Sequence, residues 1–172
     1  MAEQRPRPEA HSPEAEAKLD PRAQALQELL GEALAPYDVT HDAVIDIPAI
    51  AVQPQHVPDV CRLLKDDPRL DFKMLLCLGG VDYKEYLQVV YVLLSLDLEQ
   101  KVLIKTDLPP DDPHVPSVSG IWRAADWHER EAHDLYGIVF DGHPQLEPLL
   151  LYEGFEGFPA RKDYPFHDYQ EF

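Results

Sequence analysis

The chain has 172 residues, 45% of them hydrophobic and 27% charged, which suits one folded domain with a sizeable core rather than a disordered polymer. Its 15 Lys and Arg against 32 Asp and Glu leave a net charge of −17, which repels phosphate backbones and anionic headgroups and argues against direct binding to nucleic acid or an acidic membrane.

Residues 1–18, "MAEQRPRPEAHSPEAEAK", have no apolar core of the signal-peptide kind, and their Glu content argues against a mitochondrial presequence. They are expected to be a disordered leader on a chain that starts here, in the cytoplasm. Asp20-Pro21 then opens a helix, with Ala23, Leu26, Leu30 and Leu34 at helical spacing until Pro36. "DAVIDI" reads as a short strand broken or bulged at Pro48, and Val57, Val60, Cys61 and Leu64 mark a second helix that Asp66-Asp67-Pro68 closes.

Three strand-like runs follow at 72–78, 86–96 and 101–107, joined by "GGVDYKE" and "DLEQ", and they predict an antiparallel meander. The middle run, "YLQVVYVLLSL", is apolar on both faces, as a central strand is when helices cover one side and something else the other. It reaches only about half of the ~20 residues a membrane-spanning helix needs, so any membrane association runs through partners. Cys61 and Cys77 lack the close spacing of cluster ligands and are expected to be buried free thiols in a reducing compartment.

After a proline-rich loop, "LPPDDPHVPSVSG", the chain reads "IWRAADWHEREAHDLYG". Asp126 and Glu129 resemble a capping box and Gly137 a left-handed stop, so 127–136 is predicted as a short helix. His128-Glu129 with His133 looks like a zinc-protease signature, but the two histidines are five apart and so about 140° apart around the axis, not on one face. An arrangement of Glu129, His133 and His143 stays open as a metal set. Arg130 and Asp134 could pair at i, i+4 on a solvated helix. Trp127 beside Arg130, Glu131 and Asp134 argues instead for covered carboxylates that need cationic partners from another polypeptide.

From 141 to 172 prolines and glycines interrupt every window, yet Tyr152, Phe155, Phe158, Tyr164, Phe166, Tyr169 and Phe172 are more anchors than a solvated tail needs. The segment is expected to be an extended, partner-binding arm. The fold class is then α+β: an antiparallel sheet with helices on one face over 19–140, ending in a short charged helix, followed by that irregular arm.

The ordered set Glu129, Arg130, Glu131, Asp134, then Gly137, Ile138, Phe140, Gly142, His143, Pro144, then Arg161, Lys162, Asp163, Tyr164, Pro165 resembles the 30-kilodalton (NuoC-type) subunit family of respiratory complex I. The similarity spans roughly residues 20–165. Two positions depart from the family pattern: Glu147-Pro148 stands where a basic pair is usual, and Phe158 where histidine is frequent.

The resemblance implies a subunit with no cofactor or catalytic residue of its own in the hydrophilic arm of a proton-translocating NADH:quinone oxidoreductase. It would support the quinone-site subunit and the adjacent iron–sulfur subunit, while iron–sulfur clusters, FMN and quinone belong to partners. Trp127 and the motif residues above would form the subunit interface, with Glu129, Glu131 and Asp134 meeting cations of neighbours or of Arg161 and Lys162. The implied place is peripheral, on the cytoplasmic side of a bacterial inner membrane. An equivalent subunit of a membrane-bound hydrogenase or of a ferredoxin- or F420-fed complex is the alternative, and a free-standing metal-dependent hydrolase a third reading.

Overall fold

The computed structural model describes residues 19–165, so the leader and the last aromatic residues, Phe166, Tyr169 and Phe172, lie outside the described residues. Asp20 accepts the Ala23 N–H at 2.7 Å and starts α1, Pro21–Ala33, with proline in the first turn where its missing N–H costs nothing. The predicted single strand at "DAVIDI" is two strands, β1 (Thr40–Val44) and β2 (Ile47–Ala51), folded as a hairpin about Ile45-Asp46. Pro48 is tolerated inside β2 because the ladder to the next strand begins at Ala49, so its missing N–H falls outside that pairing. Helix α2, Val57–Asp66, follows a tight turn and buries Val57, Val60, Cys61 and Leu64.

The meander forms as expected, from β3 (Met74–Asp82), β4 (Leu87–Ser95) and β5 (Gln100–Leu108). Strand β3 runs on through Gly79-Gly80, a pair that by composition belongs to a loop. Its pairing with β4 continues to Asp82 and the chain turns only at 83–86. Because β2 pairs with β5 in parallel, the five-stranded sheet has the order β1-β2-β5-β4-β3 and is mostly antiparallel.

Leu30 and Leu34 of the first helical segment, Val60 and Leu64 of α2, and Ile50, Tyr91, Leu93 and Ile104 of the sheet are fully buried in one core. Alternation in β4 sends Leu87, Val89, Tyr91 and Leu93 into that core and leaves Val90, Val92 and Leu94 half-buried on the opposite face. On that face the exposure grows towards the β3 edge: Ala49 and Leu103 are buried, Val92 is half-buried and Cys77 is exposed. The position of Cys77 corrects the expectation that both thiols are buried, whereas Cys61 is enclosed.

The proline-rich loop holds a three-residue strand, β6 (His114–Pro116), that has no signal in the sequence. It pairs in parallel with β7 (Val139–Asp141), so the chain enters and leaves the charged helix through one clasp. That helix, α3, spans Ala125–Tyr136 and starts two residues earlier than predicted. Its C-terminal end packs on β3 at Gly80, where an added Cβ would stand 2.8 Å from Tyr136 Cδ2 and 3.1 Å from Ile138 Cδ1. Gly80→Ala is expected to push α3 off the sheet and to cost about 1–3 kcal/mol, the usual range for overpacking. A denaturant midpoint equal to that of the wild type would count against this contact.

Candidate functional site

The family-like residues converge on α3 and on the tail after β7, and the structure sorts them into two groups. The inward group begins with Glu129. Its helix position turns it into the core with Ala125 and Ala132, and it is fully buried. Ser117 Oγ donates to its carboxylate at 2.6 Å and the Val118 N–H at 2.7 Å. The predicted capping box is absent: Ala124 precedes the helix with no side-chain cap, because Glu129 reaches the 117–118 turn instead of its own first turn. Burial pushes the Glu129 carboxyl up to about 7 against the pull of those two donors, and the nearby Asp126 charge adds to the rise. Burial likewise raises the Cys61 thiol and the Tyr91 hydroxyl, with Glu129 contributing to both.

His143, from the turn after β7, has a fully enclosed side chain lying 3.9 Å from Glu129 Oε2 and 3.2 Å from Asp126 Oδ1. The Gln145 N–H donates to its Nδ1 at 3.1 Å. That bond places the proton of the neutral ring on Nε2, facing the two acids. The start of the tail is thus pinned to the first turns of α3. Pro144 beside it is exposed.

Asp134 is the second pin. The N–H groups of Leu149, Leu150 and Leu151 all donate to its Oδ2, at 3.1, 2.7 and 2.8 Å. Burial pushes this carboxyl up, but the three donors outweigh burial and hold it below the usual range. Arg130, one turn earlier, donates to the carbonyls of Glu147 and Pro148 at 3.1 and 3.2 Å rather than pairing with Asp134. The basic pair usual in the family is not needed for this contact, since only main-chain oxygens are used.

The tail then closes over the C-terminal end of the helix. Gly137 adopts φ 72°, and its N–H bonds to the His133 carbonyl at 2.8 Å. The Phe158 ring occupies the space a Cβ would need there, and the Arg161 guanidinium stacks on that ring at 5.0 Å. Arg161 donates to the carbonyls of Tyr136 and Pro110 at 2.7 and 3.2 Å, and the Lys162 N–H to Asp82 Oδ2 at 2.6 Å. Tyr164 stacks against Phe155 at 6.1 Å.

Two expectations are corrected here. Glu129 and Asp134 are not short of partners: hydroxyl and backbone donors of this chain satisfy them, and Arg161 and Lys162 serve other atoms. Through Pro165 the segment expected to lie across another polypeptide lies across α3. The candidate metal set is incomplete, since His143 approaches Glu129 but His133 is engaged elsewhere. His133 Nδ1 bonds to the Ile138 carbonyl at 2.8 Å, and no group of three or more His, Cys, Asp or Glu among the described residues is placed to hold an ion.

The outward group is what remains: Trp127 is 65% exposed, Glu131 is exposed, and Leu150 and Tyr152 of the tail are 60% and 72% exposed. Lys162, Asp163 and Pro165 also face outward. A pinned backbone carrying large exposed side chains suits recognition of another surface, because the ordering cost is already met within the chain.

Known proteins resemble the chain over most of its length. The sequence model for the respiratory-chain NADH dehydrogenase, 30 Kd subunit, matches residues 50–170. An NADH-quinone oxidoreductase subunit of Rhizobium meliloti (strain 1021) is 49% identical over 126 residues, covering 72% of this chain and 69% of the relative. The subunit of the same name in Rhizobium etli (strain CIAT 652) is 44% identical over 149 residues, covering 85% and 77%. A chain of the membrane-bound sulfane sulfur reductase, an archaeal respiratory membrane complex, superimposes with TM-score 0.69 at 25% identity, covering 83% of this chain and 85% of that one. The trypsin-resistant fragment of Nqo5 does so with TM-score 0.58 at 29% identity, covering 70% and 98%. On this sequence match, and with the same fold, the chain belongs to the family of the 30 Kd subunit of the respiratory-chain NADH dehydrogenase.

Proposed function

We propose that this chain is a supporting subunit, without cofactor or catalytic residue of its own, in the hydrophilic arm of a proton-translocating NADH:quinone oxidoreductase. It holds the quinone-site subunit and an adjacent iron–sulfur subunit in register, peripheral to the cytoplasmic side of a bacterial inner membrane, while iron–sulfur clusters, FMN and quinone reside in those partners. The observation that carries this reading is the division of the motif: Glu129, Asp134, His143 and Arg161 are used up in fixing the tail, and Trp127, Glu131, Leu150 and Tyr152 are thereby displayed on a rigid block. Attachment through partners fits the absence, among the described residues, of any helix long and apolar enough to cross a membrane.

The test is mass spectrometry of what a tagged full-length copy brings down from gently solubilised membranes. Iron–sulfur and membrane-arm subunits are expected, whereas a solitary chain sinks the proposal. Glu131→Gln, on the outward face, is expected to reduce recovered partners several-fold with an unchanged melting temperature, as loss of a rim charge from an interface does.

The likeness to a chain of the sulfane sulfur reductase complex favours a second reading, the equivalent subunit of a related membrane complex with another electron donor, such as a membrane-bound hydrogenase or a ferredoxin- or F420-fed machine. The same pull-down separates the two by the redox subunits recovered. A free-standing hydrolase is disfavoured, because Glu129 is buried against Ser117 and Val118 and Asp134 Oδ2 is committed to three backbone N–H groups.

A further inference from the structure

The two edges of the sheet are protected very differently. β1 is five residues long and carries His41 and Asp42. β3 is nine residues long, "MLLCLGGVD", bonded among the described residues only to β4, and holds neither a charge nor a proline before Asp82. Long, uncharged edges invite pairing with another chain, and proteins that keep such an edge free usually blunt it with Lys, Pro or a bulge, of which β3 has only an irregularity near its start. The irregularity between Leu75 and Cys77 leaves Leu76 40% exposed next to Met74 at 39%, so the edge displays apolar side chains as well as backbone. From the edge inward, the same face continues as exposed Cys77 and half-buried Val92 and Leu94. Towards its far end the strand is occupied, since α3 packs on Gly80 and the tail bonds to Asp82. The open stretch is therefore 74–79.

We propose that this stretch receives an extended strand from a basic partner subunit, whose backbone completes the ladder and whose apolar side chains lie on Met74, Leu76, Cys77 and Val92. The proposal rests on the subunit reading above and adds a second docking element to the α3 block. A helix laid on the open face would cover side chains but leave the outward N–H and C=O groups of β3 unpaired, so an extended segment is the better fit. A second copy of this chain is a poor occupant because each carries −17. The near end of the edge is also acidic, where Asp71 and Asp97 share Lys73 at 2.8 and 3.7 Å, which favours Lys or Arg flanking the incoming strand.

Cys77 is a native probe of this surface, and Cys61, fully enclosed, is the silent internal control. Alkylation by N-ethylmaleimide, read by mass in the full-length free chain and in the purified complex, is expected to be at least ~10-fold slower at Cys77 in the complex, because access limits thiol reactivity. Hydrogen exchange at the outward amides of 74–79 is expected to slow by a similar or larger factor. Slower alkylation with unchanged exchange means a cover that does not pair with the strand, and overturns the proposal. Equal rates in both states also overturn it, as does a photo-cross-link from Leu76 to another copy of the same chain. If the chain joins no complex at all, the subunit reading fails too, and that outcome is told apart by the empty pull-down.

Discussion

Glu129→Gln is expected to flatten the protein's stability between pH 5 and pH 8, with the variant matching the wild type at the acid end and exceeding it by about 2–3 kcal/mol at the alkaline end. The sign follows from the direction of the shift. Glu129 has its carboxyl raised from 4.5 to about 7 in the folded protein, chiefly by burial. The folded state therefore holds the proton more tightly than the unfolded state. The stability this lends is fully present below about 4.5, declines as pH rises, and is gone once pH passes about 7. Glutamine is close in shape: its oxygen can accept the Val118 N–H while its amide N–H donates to Ser117 Oγ, whose own proton turns to Ser119 Oγ, and it never acquires the buried charge that the wild type must carry at pH 8. For a domain of this size the difference at pH 8 corresponds to roughly 4–12 °C in melting temperature. Differential scanning calorimetry of both proteins across the range checks it, and the comparison cancels the histidines that titrate in each. Parallel curves would show that Glu129 is not the titrating group.

Asp134→Ala should release the tail without unfolding the sheet. One carboxylate oxygen gathers the N–H groups of Leu149, Leu150 and Leu151, and bonds to a charged acceptor are worth about 1.5–3 kcal/mol each in net terms, though three sharing one oxygen do not add fully. A loss of about 3 kcal/mol in the closing equilibrium of residues 145–160 is expected, seen as exchange more than ~100-fold faster at those three amides. The amides of β4 and β5 should keep their protection, since that tail segment adds nothing to their ladder. Asp134→Asn should sit in between, retaining an acceptor but not the charge. The pH dependence is opposite in sign to that of Glu129: a depressed carboxyl adds stability above its unfolded value of 3.8 that is lost as pH falls through the lower folded value. The latch is thus intact through the range in which Glu129 titrates. Unchanged exchange at 149–151 in the alanine variant would remove Asp134 from this role.

Much of the architecture is legible in the chain because it depends on local periodicity. Leu26 and Leu30 at helical spacing, the apolar runs of the three meander strands and the glycine stop at 137 each carry their own signal within a few residues. The hairpin at Ile45-Asp46 is hidden because Pro48 looks like a strand breaker until its pairing partner is known. The exposure of Cys77 is hidden because an apolar run does not say which of its faces is left uncovered.

The acidic balance, the order of helices and strands, and the ordered motif from Glu129 to Pro165 that marks the family are properties of the sequence by itself. Only the tertiary structure decided what the motif's acids bind. Glu129 and Asp134 need donors, and side-chain chemistry alone points to lysine and arginine. The donors are mainly the N–H groups of Val118 and of Leu149, Leu150 and Leu151, with one serine hydroxyl. Backbone N–H groups are the same at nearly every residue, so no sequence pattern announces them. They become a binding site only when the β6–β7 clasp and the tail's turns bring several to one point.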